Sequence, residues 1–275
     1  MTIKGIDVSS WNGKPFNAKT ETAFKESDFV IAKATQGTNY VNPACDYAVQ
    51  RAIKAKKLFG VYHYATGTNA KAEAAYFAQN VKGYLKKGIM CFDWESGSNP
   101  AFGNGSWVTT FVKEFYRLTK IYPVIYVQAS AANQIPAYVV KRCALWLAGY
   151  PENKDSWAVP KFNYSTGRWS ACSIWQFSSG GGIDRNIAYM TASGWNKIAG
   201  KNSYKDAKGN TVYISPRKMV NKLPISVYRM KDGKKVLIKT KKANTTWNVV
   251  KLGAKKVWVK TKSGCYLHYK ELTDK

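Results

Sequence analysis

The chain carries 43 lysines and arginines against 16 acidic residues, so a carboxylate placed at the end of an apolar run is an exception that asks for a reason. The sharpest pair is Asp93 and Glu95, in Met90-Cys91-Phe92-Asp93-Trp94-Glu95. On a strand, an i, i+2 spacing points both side chains to one side. Like charges held together raise the proton affinity of one member, which then serves as a general acid near neutral pH while its neighbour stays ionised. Cleavage of an acetal needs that division of labour: a proton for the leaving oxygen, and negative charge beside an oxocarbenium-like transition state. Asp7 ends an earlier apolar run in Gly5-Ile6-Asp7-Val8, and Asp184 follows a later one, just beyond Ile174-Trp175-Gln176-Phe177 and a Ser/Gly stretch.

Four carboxylates at strand ends meet only if the strands run side by side in one direction. Residues 1–200 meet that condition. Apolar runs at Lys4–Val8, Phe29–Ala34, Leu58–Tyr64, Ile89–Trp94, Pro123–Val127, Ala144–Ala148 and Ser173–Phe177 read as strands, several of them rich in β-branched and aromatic residues. Helical patterns at Pro43–Ala55 and Ala70–Leu85 lie between them. Strand, helix, strand at this rhythm predicts parallel pairing through right-handed crossovers, an α/β architecture. Seven or eight strands in about 200 residues favour a closed, TIM-like barrel, with its active site at the C-terminal strand ends. An open doubly wound sheet would carry a phosphate-binding glycine loop after its first strand, and GIDVSSWNG is not one.

Residues 201–275 read differently. They hold 20 lysines and arginines and 4 acidic residues. Short alternating segments such as TVYISP, ISVYRM, KVLIKT, TWNVVKL, KVWVKT and GCYLHYKEL, broken by Lys-Asp-Gly and Ser-Gly turns, predict five or six strands of a small all-β domain. The domains are placed at 1–198 and 211–275, with a polar linker at 199–210.

Composition excludes several classes. With 45% hydrophobic and 21% charged residues the chain is a packed globular protein, not a disordered one. No apolar run reaches the ~18–20 residues of a spanning helix. Cys45, Cys91, Cys143, Cys172 and Cys265 are odd in number, widely spaced and without a C-x-x-C pair, so they read as buried thiols, and no metal or other cofactor is expected. The formal charge of +27 points to an anionic polymer as target. Specific nucleic-acid recognition is not expected, because no helix-turn-helix, zinc-finger or aromatic RNA-binding signature is present.

The motifs GIDVSSWNG, Lys33-Ala34-Thr35-Gln36-Gly37, Gly60-Val61-Tyr62-His63-Tyr64, Phe92-Asp93-Trp94-Glu95, Leu145-Trp146-Leu147-Ala148 and Trp175-Gln176-Phe177 before Asp184 follow one another in an order that resembles glycoside hydrolase family 25, the Chalaropsis-type lysozymes. The resemblance covers roughly residues 3–195. It implies a modified β/α barrel that hydrolyses the β-1,4 bond between N-acetylmuramic acid and N-acetylglucosamine in bacterial peptidoglycan. Carried over by motif, Glu95 is the general acid and Asp93 its stabilising partner, while Asp7 and Asp184 match further acidic positions of the groove. One position departs from the family pattern: Gln36 stands where a glutamate is usual, and an amide supplies no charge. Two mechanisms stay open, attack by a carboxylate and attack by the substrate's own N-acetyl group. The second is preferred, with retention of configuration.

Tyr64, Tyr126, Trp146 and Gln176, at or near strand ends, are candidates for lining sugar subsites or for barrel packing. Trp11 is a candidate groove wall or core anchor, and His63 reads as a structural histidine. The second domain resembles bacterial SH3-like wall-binding modules, which implies binding to anionic wall polymers. The N-terminus shows no apolar leader. The resulting expectation is a phage or prophage endolysin that stays in the host cytoplasm until lysis and then acts on the cell wall. The alternatives are a wall-binding protein without activity, against which the intact Asp93/Glu95 pair argues, and a nucleic-acid binder.

Overall fold

The computed structural model describes residues 2–201, 203–205, 210–255 and 257–274, and the chain divides into two compact units, Met1–Gly200 and Lys201–Lys275. In the first unit the strands are β1 (Ile3–Val8), β2 (Phe29–Gln36), β3 (Tyr40–Val41), β4 (Leu58–Tyr64), β5 (Ile89–Trp94), β6 (Val124–Gln128), β7 (Leu145–Ala148), β8 (Ile174–Ser178) and β9 (Asp184–Ala188). The helices are α1 (Ala18–Glu26), α2 (Cys45–Lys54), α3 (Ala70–Val81), α4 (Gly105–Thr119), α5 (Ala137–Val140) and α6 (Ala192–Ile198). Helix starts follow side-chain caps: Asn17, Asn69, Asn104 and Thr191 each accept a backbone N–H in the first turn of α1, α3, α4 and α6.

The sheet order is β1-β9-β8-β7-β6-β5-β4-β2, and β1 also pairs with β2, which closes the barrel; β3 folds back on β2 as a hairpin. The pairings from β2 through β4 to β8, and of β1 with β2, are parallel, as the strand–helix rhythm predicts. One strand departs from expectation. Asp184 does not lie beyond the last strand but begins β9, which runs antiparallel to both β8 and β1. Glu95 lies one residue past the end of β5 rather than on the strand.

Alternation sorts the strand side chains into two layers. Outward residues such as Ile6, Val30, Val61, Phe92 and Ile125 pack under the helices. Phe111 of α4 stacks on Phe92 at 4.1 Å and on His63 at 5.3 Å. Inward residues Phe29, Ile31, Ile89, Val124, Ile174 and Ala188 fill the lower barrel, with Trp195 of α6 packed against them. The Trp195 ring lies 4.6 Å from that of Phe29, and its indole donates to the Phe59 carbonyl at 3.2 Å. The interior is narrow here: a Cβ on Gly5 would sit 2.3 Å from the Phe29 ring. A packed floor leaves the upper interior as the place for polar side chains.

The second unit is antiparallel β throughout its described pairings. Its strands are β10 (Ser203–Lys205), β11 (Thr211–Asn221), β12 (Ile225–Lys231), β13 (Lys234–Lys241), β14 (Thr246–Leu252), β15 (Trp258–Thr261), β16 (Tyr266–His268) and β17 (Leu272–Asp274). They run in the order β10-β11-β14-β15-β16-β12-β13, with β17 on β11. The described strands outnumber the five or six expected. Part of the stretch read as a linker, Ser203–Lys205, pairs with β11 instead, and residues 202 and 206–209 lie outside the described residues. The core of this unit is Val227, Val249, Val259 and Leu267 with their neighbours. All five cysteines are free thiols, with Cys172 half-buried and the rest buried. Among the described residues no helix is long and apolar enough to cross a membrane.

Candidate active site

The inward-facing rows that are apolar below turn polar at the C-terminal strand ends. Asp7 comes from β1, Lys33 from β2, Tyr62 and Tyr64 from β4, Asp93 from β5, Tyr126 from β6, Trp146 from β7 and Gln176 from β8. Because β9 runs backwards, its first residue reaches this same end. Asp184 pairs in register with Asp7, so the two carboxyls stand on the same side of neighbouring strands.

Asp7 is buried and accepts hydrogen bonds from Gln176 Nε2 at 2.8 Å and Asn186 Nδ2 at 2.7 Å. Those amides are themselves fixed. Asn186 Oδ1 accepts from the Trp146 indole at 2.7 Å, and Gln176 Oε1 accepts from the hydroxyls of Tyr126, at 2.9 Å, and Tyr150. Asp93 is equally buried, and its Oδ1 has no hydrogen-bond partner among the described residues. Asp93 lies in register with Tyr64 on one side and Tyr126 on the other. Glu95, just past the end of β5, is only half-buried. Tyr64 donates to the Gly97 carbonyl at 2.5 Å, tying down the loop that follows Glu95.

Burial and mutual repulsion give these carboxyls an unusual affinity for protons. Asp7 is raised well above the ordinary carboxylate range by burial first and by Asp184 next. Asp93 is raised well above it by burial and then by Glu95, with Lys33 opposing. Asp184 is pushed up to about 6 by burial and by Glu95. Charges placed this close titrate as a unit, so the cluster holds protons at a pH where isolated carboxylates have none. Lys33 is the cation among them. Burial lowers its pKa while Asp93 and Glu95 raise it, and its ammonium sits 4.4 Å from the centre of the Tyr64 ring and donates to Gln36 Oε1 at 2.5 Å.

The fold therefore brings together Asp7, Asp93, Glu95, Asp184, Tyr64, Tyr126, Trp146 and Gln176. Trp11 stands apart from that cluster. It lies on the turn after β1 and is 93% exposed, which excludes a core anchor. Its turn is held by Ser9 and Asn12, whose side chains cap each other's backbone. Sequence reasoning missed Lys33, Tyr62 and Asn186. For Lys33 a signal was present, since it lies two positions after the inward Ile31 on β2. His63 points outward, between Thr35 Oγ1 at 2.8 Å and Glu73 Oε2 at 3.0 Å, and belongs to the packing under α3.

Carboxyls that share protons at the mouth of a β/α barrel, with tyrosines and an indole around them, can protonate a leaving oxygen and stabilise a cationic carbon, which is the work of a glycoside hydrolase. Known proteins narrow the class. The sequence profile of the Glycosyl hydrolases family 25 matches residues 6–185, and the chain belongs to that family. An N,O-diacetylmuramidase from Chalaropsis sp. is 33% identical over 144 residues, covering 47% of this chain and 67% of that one. The family 25 lysozyme of Aspergillus fumigatus superposes with a TM-score of 0.58 at 28% identity, over 72% of this chain and 99% of its own. The spore cortex lytic enzyme SleM of Clostridium perfringens, 17% identical, matches 100% of this chain and 97% of its own with a TM-score of 0.58, a likeness of fold alone.

Proposed function

We propose that this chain is a muramidase that cuts the β-1,4 bond between N-acetylmuramic acid and N-acetylglucosamine in Gram-positive peptidoglycan. The observation that carries the reading is the convergence of Asp7, Asp93, Glu95 and Asp184 on one end of the barrel. In this reading Glu95, half-buried beyond the buried Asp93, gives its proton to the glycosidic oxygen as the C1–O4 bond breaks. The unpaired Oδ1 of Asp93 accepts the N–H of the substrate's acetamido group and turns the amide oxygen toward C1, where it forms the new bond. Water, deprotonated by Glu95, then opens that intermediate, and the product keeps its configuration. Asp7 and Asp184 hold the cluster's negative charge against the developing cation, with Gln176 and Asn186 fixing Asp7. Tyr64 borders the sugar subsite, the buried Tyr126 and Trp146 fix the Gln176 and Asn186 amides beside it, and Trp11 extends it at the rim. No step needs a metal or cofactor.

The second unit is read as an SH3-like wall-binding module that keeps the enzyme on anionic wall polymers, a reading supported by its antiparallel sheet and its 20 basic against 4 acidic residues. The whole is read as a phage or prophage endolysin, held in the host cytoplasm until lysis; expression in a Gram-positive host with and without a hole-forming membrane protein tests that assignment, since lysis independent of the hole would overturn it.

The test of the activity is chemical. Walls are digested, the new ends are reduced with borohydride, and the sugar alcohol is identified. Muramitol is the expected product. Glucosaminitol would keep a glycosidase but reverse the bond, and no new ends with binding retained would make the chain a wall binder without activity.

A further inference from the structure

In the second unit, alternation puts Val227, Val259 and Leu267 into the core and sends their neighbours to the opposite face of the sheet. That face carries an aromatic cluster. Trp258 packs 3.9 Å from His268 and meets Tyr228 edge-on at 5.1 Å. Lysines surround it. The Lys235 ammonium lies 5.0 Å from the centre of the Trp258 ring and 5.3 Å from that of Tyr266, and Lys260 lies 5.9 Å from Tyr266. Lys251 and Lys260 are register partners on β14 and β15. Lys235, Lys251, Lys255, Trp258, Lys260 and Tyr266 line a cavity of about 590 Å³, and no aspartate or glutamate is among its described lining residues.

We propose that this groove is the binding site for a phosphodiester-linked polyol chain, an anionic wall polymer, and that it places the second unit's ligand in one spot rather than on its charge at large. The choice of a wall polymer rests on the muramidase reading above. Cations held over aromatic rings are positioned before the ligand arrives, so less side-chain freedom is lost on binding. A linear polyanion matches several lysines at strand spacing, and its short apolar or hydroxylated links match the ring edges between them. Single-stranded nucleic acid fits less well. Its affinity comes from bases stacked on bare aromatic faces, and Trp258 is already engaged by His268 and Lys235.

The test uses the full chain carrying Glu95→Gln, so that walls are not consumed, with binding measured by co-sedimentation on Gram-positive walls and on the same walls stripped of phosphodiester polymers by hydrofluoric acid. Lys235→Gln/Lys260→Gln is expected to weaken binding to intact walls by about tenfold or more, whereas Lys239→Gln/Lys241→Gln, the same charge change on exposed positions outside the groove, costs less than about twofold. On stripped walls the parent is expected to fall to the level of the groove variant. Equal losses from the two pairs would overturn the proposal in favour of bulk charge, and undiminished binding to stripped walls would overturn it in favour of a peptide or glycan ligand. A DNA duplex that displaces the wall and depends on the groove pair, while stripping has no effect, would overturn it in favour of nucleic acid. Reducing ends released by the native chain from the same walls are counted in parallel. Groove-dependent binding without release sinks the muramidase reading and leaves the groove, and release without groove-dependent binding does the reverse.

Discussion

Asp7 and Asp184 face each other in register across the antiparallel pair β1–β9, on the same side of two strands that meet where the barrel closes. Folding thus presses two carboxyls together in a site that burial has already made hostile to charge; Asp184 raises the affinity of Asp7 for protons, and Glu95 raises that of Asp184.

The consequence for stability has a definite sign. Asp184 titrates near 3.8 when unfolded and at about 6 in the fold, so between those values the native state binds more protons and stability falls as pH rises. Asp184→Asn is therefore expected to stabilise the protein at pH 7 by on the order of 1–2 kcal/mol, with the gain vanishing near pH 4. Thermal unfolding across that pH range checks it, and a gain that persists at pH 4 would show that charge is not its origin.

Glu95→Gln changes charge with little change in shape. Under the proposed roles it lowers kcat by about 10²–10⁴-fold while wall binding stays intact. Reducing-end release and co-sedimentation on one preparation read both. If the variant keeps most of its activity, another carboxyl of the cluster is the acid. The first-formed anomer, followed by NMR with the native chain, is expected to be the retained one.

Lys33 helps to keep one carboxylate of the cluster ionised, because its charge opposes the rise of Asp93. Lys33→Met is expected to move the acid limb of the kcat/KM profile upward by about half a pH unit or more. Gln36→Glu, which sets a carboxylate where Gln36 Oε1 now lies 2.5 Å from Lys33, neutralises the same cation and moves the limb the same way by less. A pH–rate series of the three proteins decides it, and a downward shift in either variant would contradict the role given to Lys33.

The barrel was legible because its strands are apolar on both faces and its helices are amphipathic, so each element announces itself without its neighbours. β9 was not. Asp184-Arg185-Asn186-Ile187-Ala188 opens with three polar residues after glycines and reads as loop, yet it is a strand because β1 and β8 both offer it backbone partners. The four acids were found from their places at or just beyond apolar runs, whereas Lys33 went unnoticed among the polar residues of its motif, where only the inward register distinguishes it, and Asn186 went unnoticed because its segment reads as loop. In the second unit GCYLHYKEL reads as one strand, but a turn at Tyr269–Glu271 splits it into β16 and β17. Segments of three residues are too short for alternation to show.

His63 and Glu73 make a prediction about folding alone. Glu73 accepts from the backbone and hydroxyl groups of Thr66 and Thr68 as well as from His63, all within 3.0 Å. Burial lowers the pKa of His63, so it folds neutral, and the stability this gives above pH 6.5 is lost as pH falls through the range where the unfolded chain takes up a proton. Glu73→Ala leaves buried donors unpaired and is expected to cost about 3–5 kcal/mol. Reducing-end release per folded molecule, at a temperature below the variant's melting point, is expected to stay within about threefold of the native value. A larger loss would place this pair in the catalytic machinery.

Trp11 offers the converse case, a large side chain with nothing to hold in the fold. It is 93% exposed on a turn fixed by Ser9 and Asn12, and Ser10 beside it lies 3.4 Å from the hydroxyl of Tyr40 on the β3 hairpin. Trp11→Ala removes no buried contact, so stability is expected to change by less than about 0.5 kcal/mol. If the indole forms the outer wall of the groove, KM for peptidoglycan rises by about threefold to tenfold with kcat held, because stacking on a remote sugar binds ground and transition states alike. Steady-state kinetics on soluble glycan chains separate the two constants. An unchanged KM would remove Trp11 from the substrate path and confine recognition to the residues inside the barrel mouth.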